Sequence, residues 1–408
     1  MKHKFSVIPV VFLVTLFYLG SFSYAQEGRI HFGKLKVIPG LTLDSVYDDN
    51  IFLGNGDKDI NEDEESDWIF HIKPQLMFNF PLFAQRGTIL FGYQGNFAEY
   101  ADNTDNDWDE QKGLLKLNYN APGGLIFELN DTYADSDDPY GSENEYLLGE
   151  RTSRWSNDLK SKLGFRFGDN TRIMAYYNFF KQDYDKTKDD SQDYDSYEVG
   201  LGFAMKFLPK TWGFIRYHCG ERDYFSHSGL VTSSNDSDFD WHRVNTGVTW
   251  DSGAKLSGEV NLGYKWKSYD NGVASNGKQY DDVDTWIAAT NIAYMASSTT
   301  TLRLNISRAV RESGSDTNEY YKDTGLGVFL EQQLMTRLKL KAGLEYMEHD
   351  YNTDDREDDN YRANLDLAYR VQDWLSVGTA YDFKEKDSNR SENDYTDNQL
   401  KFYLTGTY

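Results

Sequence analysis

The sequence predicts an all-β protein, a transmembrane antiparallel up-and-down β-barrel of about eighteen strands. Three observations predict it: apolar and polar residues alternate with a period of two, short connections alternate with long ones, and the chain opens with an export signal.

The alternation is plainest in one segment. Leu256, Gly258, Val260, Leu262, Tyr264 and Trp266 fall on one face, and Lys255, Ser257, Glu259, Asn261, Gly263, Lys265 and Lys267 on the other. Successive strand residues point to opposite sides of a sheet, so this segment has one apolar and one wet face. The pattern recurs at Leu163-Phe165-Phe167, Val199-Leu201-Phe203-Met205-Phe207, Leu338-Leu340-Ala342-Leu344-Tyr346 and Leu400-Phe402-Leu404. Mean hydropathy is -0.70 and the net charge is -24. Yet 16% of residues are aromatic, with 30 Tyr and 25 Phe, and acidic disordered chains are poor in aromatics. Beyond the N-terminus no apolar run approaches the roughly 18 residues of a spanning helix.

The connections set the strand count. Short links fall near 81–85, 120–124, 168–171, 208–211, 251–254, 296–299, 334–337 and 370–374. Long links fall near 48–67, 101–109, 134–153, 184–195, 222–240, 269–284, 311–321, 349–361 and 384–397. Together they join eighteen strands, and an even count places both ends on the periplasmic side. Sixteen is the alternative count, because around 172–182 and 212–222 both faces are aromatic. Pro39 and Pro74 fall inside the first two strands, where proline marks a bulge or an edge. Trp68, Trp212, Trp250, Trp286 and Trp374 lie near strand ends and suit the two interfacial girdles.

Lys2 and Lys4 precede an apolar stretch over 5–20, and Ser23-Tyr24-Ala25 presents small residues at a cleavage site. Residues 1–25 therefore read as a signal peptide cut after Ala25. Residues 26–33 read as a short periplasmic segment and 34–408 as the barrel, with no room between for a plug. The location expected is the outer membrane of a Gram-negative bacterium, with its lipid, lipopolysaccharide and barrel assembly machinery as partners. Phe402, Leu404 and Tyr408 form a terminal aromatic strand signal for that machinery, although Gly406 takes a place usually apolar. Cys219 stands alone, closes no internal disulfide and reads as an ordinary strand residue.

Charge is unevenly placed. Acids crowd the long links, as in Asp57, Asp59, Glu62, Asp63, Glu64 and Glu65, whereas bases fall on wet strand faces. Lys160, Lys162, Arg166, Lys255, Lys265, Lys267, Arg303, Lys339 and Lys341 are expected to line a basic lumen. The acidic links exclude a nucleic-acid partner, since phosphate contacts need clustered Lys and Arg. Solvation is the plain account of these acids, and divalent-cation bridging to lipopolysaccharide the sharper one. Asp57, Asp59, Asn61 and Asp63 have calcium-loop spacing, but Glu62 replaces the turn glycine and Trp68 the closing Glu. Glu348-His349-Asp350 places an acid–base pair near a loop, but adjacent strand residues point apart. No phosphate loop, His/Cys cluster or nucleophile elbow is present, so neither enzyme chemistry nor a cofactor is expected.

The opening strand, Pro39-Gly40-Leu41-Thr42-Leu43-Asp44-Ser45-Val46-Tyr47-Asp48-Asp49-Asn50-Ile51-Phe52, ends in an aromatic, Asp-Asn and an aliphatic. It resembles the family called putative beta-barrel porin type two. That resemblance implies an outer-membrane conduit for exopolysaccharide export, acting with an anionic polysaccharide and a periplasmic polysaccharide-export protein. From the residues alone, a general or nutrient-uptake porin and a structural or adhesin barrel with a plugged lumen stay open.

Overall fold

Each period-two segment forms a strand, and the turn residues between them set where the chain reverses. The computed structural model describes residues 30–56, 64–83, 86–138, 151–225, 237–250, 253, 255–272, 280–313, 320–352 and 355–408. The signal peptide expected over 1–25 lies outside these residues. A short strand β1 (Ile30–Phe32) turns at Gly33, whose φ of 62° suits glycine, and pairs with the start of β2.

The barrel strands follow in order: β2 (Leu35–Asp48), β3 (Asp67–Leu82), β4 (Gly87–Tyr100), β5 (Trp108–Asn120), β6 (Leu125–Asp138), β7 (Thr152–Phe167), β8 (Thr171–Tyr184), β9 (Tyr194–Leu208) and β10 (Thr211–Tyr224). The second half comprises β11 (Phe239–Trp250), β12 (Leu256–Tyr269), β13 (Val283–Met295), β14 (Thr300–Glu312), β15 (Tyr320–Met335), β16 (Leu338–Tyr351), β17 (Glu357–Gln372), β18 (Leu375–Ser388) and β19 (Tyr395–Thr407). Every neighbouring pair is antiparallel, and β19 pairs with β2, so β2–β19 form a closed ring of eighteen strands among the described residues. Closure leaves no unpaired edge, which a bilayer requires because its core offers no water to backbone groups.

The alternation of short and long connections is as the sequence predicts. The ends of β3, β5, β7, β9, β11, β13, β15 and β17, from which the short connections leave, share one rim with the start of β2 and the end of β19, and the longer connections leave from the other rim. Leu201, Phe203 and Met205 on β9, and Leu344 on β16, point outward and are exposed, which is the lipid-facing band.

Two expectations need correction. Pro39 and Pro74 mark no bulge: the β2–β3 register runs unbroken past both. Proline's missing donor is accommodated otherwise. Pro39 lies beyond the last β19–β2 pair, and at Pro74 pairing with β4 lapses opposite Gly95, where an added Cβ would lie 3.3 Å from the proline ring. The register shifts fall instead at Thr211/Trp212, Gln333/Met335 and Arg370/Gln372, all beside short turns. Trp212 is the second correction. Trp68, Trp286 and Trp374 are exposed, but Trp212 is only 1% exposed, and the Arg172 guanidinium stacks 3.6 Å from its ring centre. That tryptophan belongs to the inner wall.

Candidate functional site

The inner wall is the candidate site. Side chains one strand position out of phase with the lipid-facing residues converge there, and pairs two strands apart can meet across the concave face. Arg216 on β10 donates through Nη1 and Nη2 to both carboxylate oxygens of Glu259 on β12, at 2.7 and 2.8 Å. Arg243 on β11 donates to Glu198 on β9 at 3.0 Å, and Nδ1 of His218 lies 2.8 Å from the same carboxylate. Tyr403 on β19 donates to Asp366 on β17 at 2.7 Å. Among the described residues no helix or strand crosses the lumen; each barrel strand packs on its two neighbours in the wall.

The candidate lumen residues are placed as follows. Lys160 and Lys162 on β7 lie 2.6 Å from Asp158 and 2.8 Å from Glu128. Arg166 pairs in register with Arg172 at the foot of β7 and β8. Lys265 is flanked by the Trp241 ring at 5.4 Å. Lys267 has a fully buried side chain, 2.6 Å from Glu312 on β14. Arg303 and Lys339 converge on Glu331, each at 2.5 Å, and Lys341 lies 3.7 Å from Asp366. Lys255 sits apart, in the turn at 251–255, with its ammonium 5.3 Å from the exposed Tyr294 ring.

Most of these cations therefore face carboxylates on the same inner surface, and the wall is a mosaic of charge. One cationic sector is β10–β12, where Arg216, Arg222, Arg243, Lys265 and Lys267 alternate with Phe214, Phe239, Trp241 and Tyr269. Sequence reading missed the arginines there because aromatic residues occupy both faces of β10. Only the register with β9 and β11 separates inward from outward.

The opening motif lies at the seam. One oxygen each of Asp48, Asp49 and Asp397 lie within 4.8 Å of one another, as cation ligands would. Protein donors already serve all three: Asn50 and Gln399 on Asp48, Asn398 on Asp49, and Lys384 at 3.0 Å on Asp397. The cation loop expected over Asp57, Asp59, Asn61 and Asp63 lies outside the described residues. Phe402, Leu404 and Tyr408 are exposed on the outer face, and the Tyr408 amide donates to the Pro39 carbonyl at 3.0 Å.

The family model described as Putative beta-barrel porin 2 matches residues 23–407. No curated protein matches the chain. Among solved structures, the outer membrane protein opdK from Pseudomonas aeruginosa is 11% identical, covering 91% of this chain and 99% of its own, with a TM-score of 0.46. OpdL from Pseudomonas aeruginosa is 11% identical over 92% and 98%, with a TM-score of 0.47. The FrpB iron transporter from Neisseria meningitidis is 9% identical over 85% and 62%, with a TM-score of 0.45.

Proposed function

For a chain that belongs to the Putative beta-barrel porin 2 family, we propose a passive aqueous pore through which small polar solutes diffuse across the outer membrane. The observation that supports it most is the polar inner wall, charged along its length and free of any described segment packed across it. A closed barrel of this strand number encloses a lumen wide enough for water. Paired Arg–Glu and Lys–Asp groups on that wall keep it wet while limiting the field any one ion meets.

Export of exopolysaccharide is the narrower reading that the opening motif implies. The mosaic of paired charges on the described inner wall suits small polar solutes of either sign, so uptake or general diffusion is the reading put forward. A plugged structural barrel is the third. The test is conductance of the purified full-length protein in planar bilayers, paired with liposome swelling in sugars of increasing size. Discrete channel steps and entry of small sugars are expected. A bilayer with incorporated protein but no steps would remove the pore reading.

A further inference from the structure

Two cations on the inner wall form no ion pair with a carboxylate among the described residues, and feel Glu312 only from beyond that distance. Arg222 on β10 donates through Nη1 to the Tyr224 hydroxyl at 3.3 Å, and its buried Nε has no partner. Its guanidinium lies 4.0 Å from the Tyr194 ring centre and 5.4 Å from that of Phe239. Lys265 on β12 lies 5.4 Å from the Trp241 ring centre and 6.0 Å from that of the same Phe239, and sits in the field of Glu312 as well as those of Arg222, Arg243 and Lys267. Arg222 and Lys265 thus approach one ring from two strands, because Arg222 pairs with Phe239 in register and Lys265 with Arg243 four residues along. The nearby carboxylates are engaged: Glu312 accepts from Lys267 at 2.6 Å, and Glu198 from Arg243 at 3.0 Å.

An unmatched pair of cations on a half-buried, aromatic-walled surface carries a desolvation cost that a mobile anion offsets. We propose that Arg222 and Lys265 form a binding subsite for a small organic carboxylate, such as a uronate, on the inner wall of the barrel. The assignment rests on the pore reading above for the ligand's route to the wall. The guanidinium fork suits a planar carboxylate, to which it can donate from two nitrogens. Lys265 supplies a second, freely rotating donor. The rings of Tyr194, Phe239 and Trp241 pack against the two cations and limit where they can swing. A neutral sugar of the same size has nothing to offset the two charges.

The experiment is calorimetric titration of the detergent-solubilised full-length protein with glucuronate and, separately, glucose. Single-channel recording with glucuronate added to KCl accompanies it. Wild type should bind glucuronate and not glucose, and glucuronate should reduce its channel current. Arg222→Gln and Lys265→Gln should each weaken binding about tenfold, the loss of one charge-assisted contact. The double variant should bind no better than wild type binds glucose. Lys210→Gln, in the turn at 209–210, should bind as wild type does, and heat-modifiability on gels confirms that each variant has folded. Equal titration by glucose and glucuronate, or an unweakened double variant, overturns the subsite. Arg222-dependent binding without any conductance keeps the subsite and removes the pore, whereas conductance without binding does the reverse.

Discussion

Asn50 and Thr396 tie the first extracellular connection to the last strand: Nδ2 of Asn50 donates to the Thr396 carbonyl at 2.9 Å. The same side chain donates to the Gly54 carbonyl at 2.8 Å and accepts the Gly54 amide at 2.9 Å. Asn50 is 1% exposed, so water cannot replace these bonds. Asp48 caps the Asn50 amide at 2.9 Å, and Asp49 accepts from the amide and side chain of Asn398 at 2.7 and 2.9 Å. The Asp-Asp-Asn-Ile stretch is thereby a stitch across the β2–β19 seam. Asn50→Ala should lower stability by about 2–3 kcal/mol, because buried backbone groups lose their partners. Heat-modifiability on gels checks this: the variant should unfold at a lower temperature than wild type. An unchanged unfolding temperature would mean that the seam holds without the stitch.

Lys267 and Glu312 form a deeply enclosed ion pair of the inner wall, with the Lys267 side chain fully buried. Nζ of Lys267 also donates to the Tyr269 hydroxyl at 2.5 Å and lies 4.0 Å from the Phe239 ring centre. Lys267→Met leaves a buried carboxylate without its cation, and should cost about 3 kcal/mol. The double variant Lys267→Met, Glu312→Leu should recover most of that loss, since neither charge then remains to be matched. Urea unfolding in detergent, followed by tryptophan fluorescence, measures both. If the double variant is as unstable as the single one, packing rather than charge governs this position.

The strand map was legible because it depends only on local pattern. Leu262, Tyr264 and Trp266 announce an outward face by themselves, and the connections announce where it reverses. The inner wall was less legible, for a geometric reason. Whether Arg303 and Lys339 are free or share Glu331 depends on the register of β14, β15 and β16, which no single strand encodes. Trp212 reads as a girdle residue from its place near a strand end. Its true side is fixed by the shift at Thr211/Trp212 and by Arg172 on β8, which lies against its ring. Pro74 reads as a bulge because proline lacks a donor, and only the glycine at position 95 on the next strand shows how that is met.

Glu331 is placed to control ion selectivity. It neutralises two cations at once, Arg303 and Lys339. Glu331→Gln should leave both uncompensated and shift the reversal potential in a KCl gradient toward anion selectivity. Lys339→Gln with Lys341→Gln should shift it the other way. Both shifts should be larger at low salt, since the screening length is near 8 Å at about 0.15 M. Equal reversal potentials for wild type and Glu331→Gln at low salt would mean that these groups do not face the ion path.

The extracellular rim should also respond to pH. Asp185 and Asp270 lie in the connections after β8 and β12. Partial desolvation raises the pKa of each, and nearby carboxylates add to it: Asp137 and Asp183 for Asp185, Asp240 and Asp223 for Asp270. Folding therefore takes up protons at these sites. The stability this contributes is complete below the unfolded carboxylate value of about 4. It is lost as pH rises through the higher folded values. Asp185→Asn with Asp270→Asn imitates the protonated state at every pH. That variant should melt above wild type at pH 7.5, and the difference should shrink toward zero as pH falls to 3.5. Circular-dichroism melts in detergent across that range give the difference directly. A gap that stays constant with pH would show that the substitutions act through packing and not through these charges.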